Sequence, residues 1–216
     1  MIKILIVDDH AVVREGLKHV FAKEWPGAEF GEAQNAQEAL QLARQQAWDA
    51  VMLDLNMPGR SGLDLLLDLK QEHPRLPVLV LTIHPEEQYA VRALKAGAAG
   101  YLTKGCPREE LIKALHKVLE GGRYVSPTLA ERLAFALAGD STGARHELLS
   151  DREYQVLVGI ASGKTVTEIA GELSLSVKTV SSYRTRLLTK MGMRTNSELT
   201  RYAIRNQLVD DSNQTL

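Results

Sequence analysis

The stretch VMLDLNMPGRSG, residues 51–62, decides the reading of this chain. It opens on an unbroken apolar run, the mark of a strand buried on both faces of a parallel sheet, and Asp54 closes that run. An amphipathic stretch of helical length follows over about 62–73. The same pairing recurs on either side. Strands are expected at 2–7, 28–33, 50–53, 78–82 and 100–103, and helices at roughly 11–24, 36–46, 62–73, 85–96 and 107–120. Pro85 and Pro107 stand where first helical turns would begin, with Glu86, Glu87, Glu109 and Glu110 placed to favour the helix dipole. Five successive βα units predict an α/β domain with a five-stranded parallel sheet over residues 1–121.

If that sheet is wound in the flavodoxin-like order 2-1-3-4-5, functional groups belong at the carboxyl ends of its strands, where the loops open a crevice. Asp8 and Asp9 end the first strand, Asp54 the third and Thr82 the fourth, and Lys104 follows the fifth. Carboxylates converging on one crevice repel each other unless a cation sits among them, and all-oxygen ligation suits Mg²⁺. Lys104 and the metal would neutralise an incoming phosphoryl group while a carboxylate attacks it. His10, beside the acid pair, reads as an exposed capping residue rather than a ligand. A phosphohydrolase working through an aspartyl phosphate fits less well. Such enzymes set nucleophile and acid two residues apart, and Asp8-Asp9-His10-Ala11 has no acid two residues after either Asp.

The phrases ILIVDDH (4–10), VMLDLNMPGRSG (51–62) and GAAGYLTK (97–104) resemble bacterial response-regulator receivers over essentially all of residues 1–121. The resemblance implies that Asp54 is the phosphoacceptor. It also implies that Asp9, Asp54 and the Asn56 carbonyl bind Mg²⁺, with Asp8 acting largely through water. Thr82 and Lys104 would bind the phosphoryl oxygens, and Tyr101 would reorient as Thr82 is drawn inward; an aromatic in that position can also be plain core filler. Gly105 stands where many receivers have Pro.

Charge separates the rest of the chain from this domain. Residues 1–121 hold fourteen basic and seventeen acidic side chains. Residues 174–205 hold seven basic ones (Lys178, Arg184, Arg186, Lys190, Arg194, Arg201, Arg205) against Glu198 alone; charge by itself fits a surface for a polyanion and a solvated helix face equally. Cys106, the single cysteine, has no disulfide or zinc partner. No apolar run approaches the roughly 18 residues of a membrane span, and Met1 to Val7 has no signal-peptide layout. A cytoplasmic protein with no membrane partner is expected.

Beyond Gly121-Gly122 the alternation stops. Residues 122–146 read as a linker, with a short helix at about 129–137 and a flexible connector at 139–143; residues 147–211 read as an all-helical domain. Ser150/Glu153, Thr165/Glu168 and Thr195/Glu198 are capping boxes at three helix starts, and Ser176 is an N-cap for a fourth. In the helix from 177 to about 191, Val177, Val180, Leu187, Leu188 and Met191 should pack inward, leaving Lys178, Thr179, Ser181, Ser182, Thr185, Arg186 and Thr189 outward. Small hydroxyls between Lys and Arg suit a helix lying deep in a major groove. Gly163-Lys164-Thr165 is no nucleotide-binding loop, since position 158 is Val and no strand precedes it.

The stretch LLSDREYQVLVGIASGKTVTEIAGELSLSVKTVSSYRTRLLTKMG, 148–192, resembles the LuxR-type helix-turn-helix, and with the receiver it resembles the NarL/FixJ class. The resemblance implies double-stranded DNA as ligand, a sensor histidine kinase as partner, a homodimer as active form, and a transcriptional switch rather than an enzyme. Matched by position, base-edge contacts fall on Ser181, Ser182 and Thr185, and backbone contacts on Lys178, Thr179, Arg184, Arg186 and Lys190. Val166 stands where the family commonly has Asn. Leu199, Tyr202 and Ala203 share a face of the last helix, which the resemblance makes a dimerisation surface, though the same spacing would serve to complete the small core.

Overall fold

The computed structural model describes residues 1–131, 145–206 and 208–209. The chain divides into two compact units, Met1–Phe135 and Ala136–Leu216. The connector expected at 139–143 and the later part of the linker helix lie outside the described residues.

In the first unit β1 (Lys3–Val7), β2 (Glu29–Ala33), β3 (Ala50–Leu53), β4 (Val78–Thr82) and β5 (Gly100–Thr103) alternate with α1 (Ala11–Glu24), α2 (Ala36–Gln45), α3 (Gly62–Glu72), α4 (Glu86–Lys95) and α5 (Arg108–Leu119). All strand pairs are parallel, in the order β2-β1-β3-β4-β5, as the sequence predicts. The second strand starts one residue later than expected, because the Ala28 N–H donates to Trp25 O in the turn after α1. Pro85 and Pro107 are N-cap residues, one position ahead of the helices they were expected to begin.

Successive strand residues point to opposite faces, and both faces are covered. Ile4, Ile6, Met52, Leu79 and Leu102 pack with Phe21 of α1 and Leu111, Leu115 and Val118 of α5. Leu5, Val7, Val51, Leu53 and Val80 are equally buried on the other side. This double burial is why the strands read as continuous apolar runs rather than alternating ones. The register sets Val7 beside Leu53 and Leu53 beside Val80, so the strand ends, and the polar residues that follow them, come level.

The second unit begins with a 3-10 turn, Arg145–Leu148, and continues with α6 (Asp151–Ala161), α7 (Val166–Glu172), α8 (Val177–Met191) and α9 (Asn196–Arg205). All three capping boxes form, and Ser176 caps α8 by accepting from the Thr179 N–H. Each cap satisfies a backbone donor left open at a helix start. Gly159 lets α6 and α7 close together: a Cβ there would lie 2.8 Å from Ile169 Cγ1. Ser174, with φ 53°, makes the left-handed turn between α7 and α8. Gly163 (φ 81°) ends the α6 loop and Thr165 caps α7, which confirms a helix connection rather than a phosphate loop.

Candidate functional site

At the carboxyl edge of the sheet the expected residues converge. Asp8, Asp54 and Thr82 are buried, and the loops carrying them are pinned by main-chain bonds: Asp8 N–H to Ala33 O, Asp54 N–H to Val7 O and Lys104 N–H to Thr82 O. The Lys104 ammonium lies 2.7 Å from Asp54 Oδ2 and 2.7 Å from Asp8 Oδ2. Asp54 Oδ1 accepts from the Asn56 N–H at 3.0 Å. Burial pushes the Asp54 carboxyl upward from its ordinary value; the Asn56 N–H and Lys104 oppose that rise and the charge of Asp8 adds to it. For Lys104, burial favours the neutral amine, but the hydrogen bonds to Asp54 and Asp8 outweigh it and raise the ammonium above its usual range.

Ligand atoms of Asp8, Asp9, His10 and Asp54 all lie within 4.8 Å of one another. Asp9 Oδ1 is buried and makes no hydrogen bond among the described residues, although His10 Nδ1 stands 2.9 Å away in a direction that does not align one. Three carboxylates with an unsatisfied buried oxygen are a donor set that fits a hard divalent cation such as Mg²⁺. His10 is the exposed N-cap of α1 as expected, but its ring makes no capping bond and turns to the carboxylates of Asp8 and Asp9. The Thr82 hydroxyl is fully buried and has no partner among the described residues. Tyr101 is both core and site, with a wholly buried ring whose hydroxyl donates to His84 O at 2.9 Å, two residues past Thr82.

Sequence reasoning missed two supports. Arg14 donates from Nη1 to Asp8 O at 2.7 Å and is itself held by Glu32, so it fixes the acid-bearing loop. Gly62 admits the backbone after Asp54: a Cβ there would lie 2.4 Å from Asp54 O and 2.5 Å from Leu55 Cα. A glycine opening a helix was the visible signal for the second; the contact of Arg14 with a carbonyl left no trace in the sequence.

On α8, Lys178, Ser181, Ser182, Thr185, Arg186 and Thr189 are exposed, and Val180, Leu187 and Met191 are buried. Two inward expectations change: Val177 is 46% exposed and Leu188 only half-buried. Helical side chains lean toward the N-terminus, so the first residue of α8 leans over its cap rather than into the core. The hydroxyls of Ser182, Thr185 and Thr189 donate to the carbonyls one turn back, Lys178 O, Ser181 O and Thr185 O. Three of the residues expected on the DNA backbone are engaged within the protein: Thr179 at the cap, Arg184 with Asn196 at 2.7 Å and Lys190 with the buried Glu153 at 2.6 Å. Arg145 donates to Met191 O at 2.9 Å, capping the C-terminus of α8 from far along the chain.

The dimerisation face is corrected. Leu199 and Ala203 are 0% exposed, filling the core where α9 packs on α6, and the Tyr202 hydroxyl pairs with His146 Nδ1 at 3.0 Å. A unit this small has few apolar faces, and it uses this one for itself.

Known proteins give these two surfaces a context. The model of the response regulator receiver domain matches residues 4–116, and that of the luxR family of bacterial regulatory proteins matches 147–203. The chain is 38% identical over 212 residues to the response regulator GacA of Pseudomonas protegens, covering 98% of this chain and all of that protein (100%). The chain belongs to the response-regulator family. This response regulator is also 35% identical to UvrY of Escherichia coli, over 96% of each chain. Among solved structures it resembles RcsB of Salmonella enterica serovar Typhimurium, bound to promoter rprA in the presence of the phosphomimetic BeF3⁻, with 26% identity and a TM-score of 0.58 over 94% of this chain and 98% of that one. This response regulator thus joins a receiver to a LuxR-type DNA-binding domain and belongs to a class that regulates transcription. Among its described residues no helix is long and apolar enough to cross a membrane.

Proposed function

We propose that a partner histidine kinase phosphorylates Asp54, and that this controls binding of double-stranded DNA through α8. The observation that carries the reading is the Lys104 ammonium held between Asp54 and Asp8, with a buried Thr82 hydroxyl that has no partner among the described residues at the end of the neighbouring strand. An oxygen of the Asp54 carboxylate attacks the phosphorus of a phosphohistidine; the P–N bond breaks, and the imidazole leaves with its electron pair and takes up a proton. Lys104 stays charged and follows the transferred oxygens, and Thr82 donates its free hydroxyl proton to one of them. Asp8, Asp9, Asp54 and the Asn56 carbonyl would hold Mg²⁺, which supplies charge neutralisation for the phosphoryl group. Tyr101, tied to His84, reports the movement of Thr82.

In the DNA complex Ser181, Ser182 and Thr185 meet base edges. Lys178 and Arg186 meet phosphates, joined by Thr179, Arg184 and Lys190 to the extent that they leave their protein partners. The active form is a homodimer in the cytoplasm, with the receiver ending near 121, a linker over 122–146 and the DNA-binding domain over 147–211. The test is to incubate the full chain with Mg²⁺ and a small phosphodonor, locate the added group, and compare promoter binding with Asp54→Asn. Phosphate on Asp54 with tighter binding in the wild type alone is expected. No phosphate on Asp54, together with equal DNA binding by both proteins, would overturn the switch.

A further inference from the structure

Beyond α5 the chain returns to the free edge of the sheet. The Tyr124 N–H donates to Ala99 O at 2.8 Å, and Tyr124 forms a parallel bridge to Gly100, adding a single residue of pairing alongside β5. The Tyr124 ring is buried, and its hydroxyl donates to Glu110 Oε1 at 2.8 Å, in the first turn of α5. Burial, reinforced by that carboxylate, pushes the phenol up to about 12, so it stays a donor at any physiological pH.

Two residues on, Ser126 makes the matching contact to α4. Its hydroxyl donates to Glu86 Oε2 at 2.6 Å, and Ser126 Oγ itself accepts from the Leu129 N–H at 3.1 Å. Ser126 is therefore the N-cap of the linker helix that begins at residue 127, and its carbonyl accepts from the Ala130 N–H. Leu129 is fully buried. A serine hydroxyl has one proton, and here Glu86 takes it. The carboxylate polarises the hydroxyl and strengthens it as the acceptor that starts the helix.

The placement of the two acids is what matters. Glu86 opens the helix that follows the strand ending in Thr82, and Glu110 lies in the first turn of the helix that follows the strand leading to Lys104. The linker is thus fastened to the first turns of the two helices that follow Thr82 and Lys104. Between Thr82 and Glu86 lie only Ile83, His84 and Pro85, and the middle of these is held by the Tyr101 hydroxyl. Movement of Thr82 and Tyr101 acts on the segment that positions Glu86, whereas Tyr124 is tied to the sheet by its main chain as well as to Glu110.

We propose that the Glu86–Ser126 hydrogen bond couples the loop after β4 to the start of the linker helix, with Tyr124 as the fixed anchor, so that receiver phosphorylation changes the capping of that helix. This rests on the Asp54 reading above and names the physical element that passes the signal on.

The test uses the full chain as wild type, Glu86→Ala, Ser126→Ala and Tyr124→Phe. It measures amide hydrogen exchange at Leu129 and Ala130 with and without Mg²⁺ and a small phosphodonor, with incorporation at Asp54 read by mass on the same samples. Loss of the cap in Ser126→Ala raises basal exchange about fivefold whatever the coupling; Glu86→Ala keeps the serine and isolates the coupling. Expected is a severalfold change of exchange on phosphorylation in the wild type and in Tyr124→Phe, falling to less than about a third of that in Glu86→Ala at equal incorporation. An unchanged wild type, or Glu86→Ala responding like the wild type, overturns the coupling alone. Absence of phosphate from Asp54 in the wild type overturns the coupling and the proposed function together.

Discussion

The crevice of the receiver and the exposed face of α8 are both polar, yet they are built in opposite ways. Asp54 is 2% exposed and Thr82 0%, and Lys104 reaches Asp54 across fifty positions of sequence. Lys104 joins Asp8 and Asp54 across the fold, while the Thr82 hydroxyl has no partner among the described residues. On α8 the groups that face solvent belong to one helix, and Ser182, Thr185 and Thr189 bond only to carbonyls one turn back. A buried charged site needs tertiary partners to persist. An exposed one needs only the correct helical phase. Substitutions in the crevice should therefore disturb chemistry and folding together, and substitutions on the face of α8 should disturb binding alone.

The strongest break of that contrast is Asp54→Asn. Phosphate incorporation should disappear entirely, yet the fold should survive and gain stability at neutral pH. The folded-state carboxyl is raised by burial, so ionising it favours the unfolded chain; that penalty is present above the folded pKa and vanishes below the ordinary carboxylate value near about 4. Thermal melts at neutral and acid pH test this. A variant that melts lower at neutral pH would show Asp54 to be a net support of the fold.

Leu199→Ala probes the unit that carries α8, at its buried rather than its exposed side. As core it should cost about 2–5 kcal/mol, read by denaturant unfolding of the full chain in dilute monomeric solution. A loss of dimerisation at unchanged unfolding midpoint would restore the dimer reading of that face. Gly62→Ala sharpens the crevice side. Its Cβ meets backbone rather than a yielding side chain, so about 1–3 kcal/mol should be lost, along with a slower rate of Asp54 phosphorylation. Arg186→Ala should be smallest in stability, within about 0.5 kcal/mol. It should weaken DNA binding evenly across sequences and reduce the salt slope by about 1. Sequence-selective loss would make Arg186 a base reader instead.

Legibility followed the same division. Strand and helix positions came through to within a residue or two because double burial leaves apolar runs, and capping boxes mark helix starts in local sequence. Asp8, Asp9, Asp54, Thr82 and Lys104 were legible because the parallel fold collects strand ends at one edge. His10 was read correctly as the exposed N-cap of α1 but not as to its ring, which turns from the helix to its sequence neighbours Asp8 and Asp9. Leu199 and Ala203 show the limit of periodicity, which marks an apolar face without saying which surface covers it.

By itself, then, the amino-acid order determined the five βα units and the helical caps, which are written in short-range pattern, and it placed the acidic crevice once a flavodoxin-like winding was assumed. Tertiary structure alone decided that Lys104 bridges Asp8 and Asp54, that Glu153 claims Lys190, that Arg145 caps α8, and that Ser126 is bonded to Glu86. The reason is reach. These are contacts between groups tens of residues apart, and only the packed chain brings their atoms within hydrogen-bonding distance.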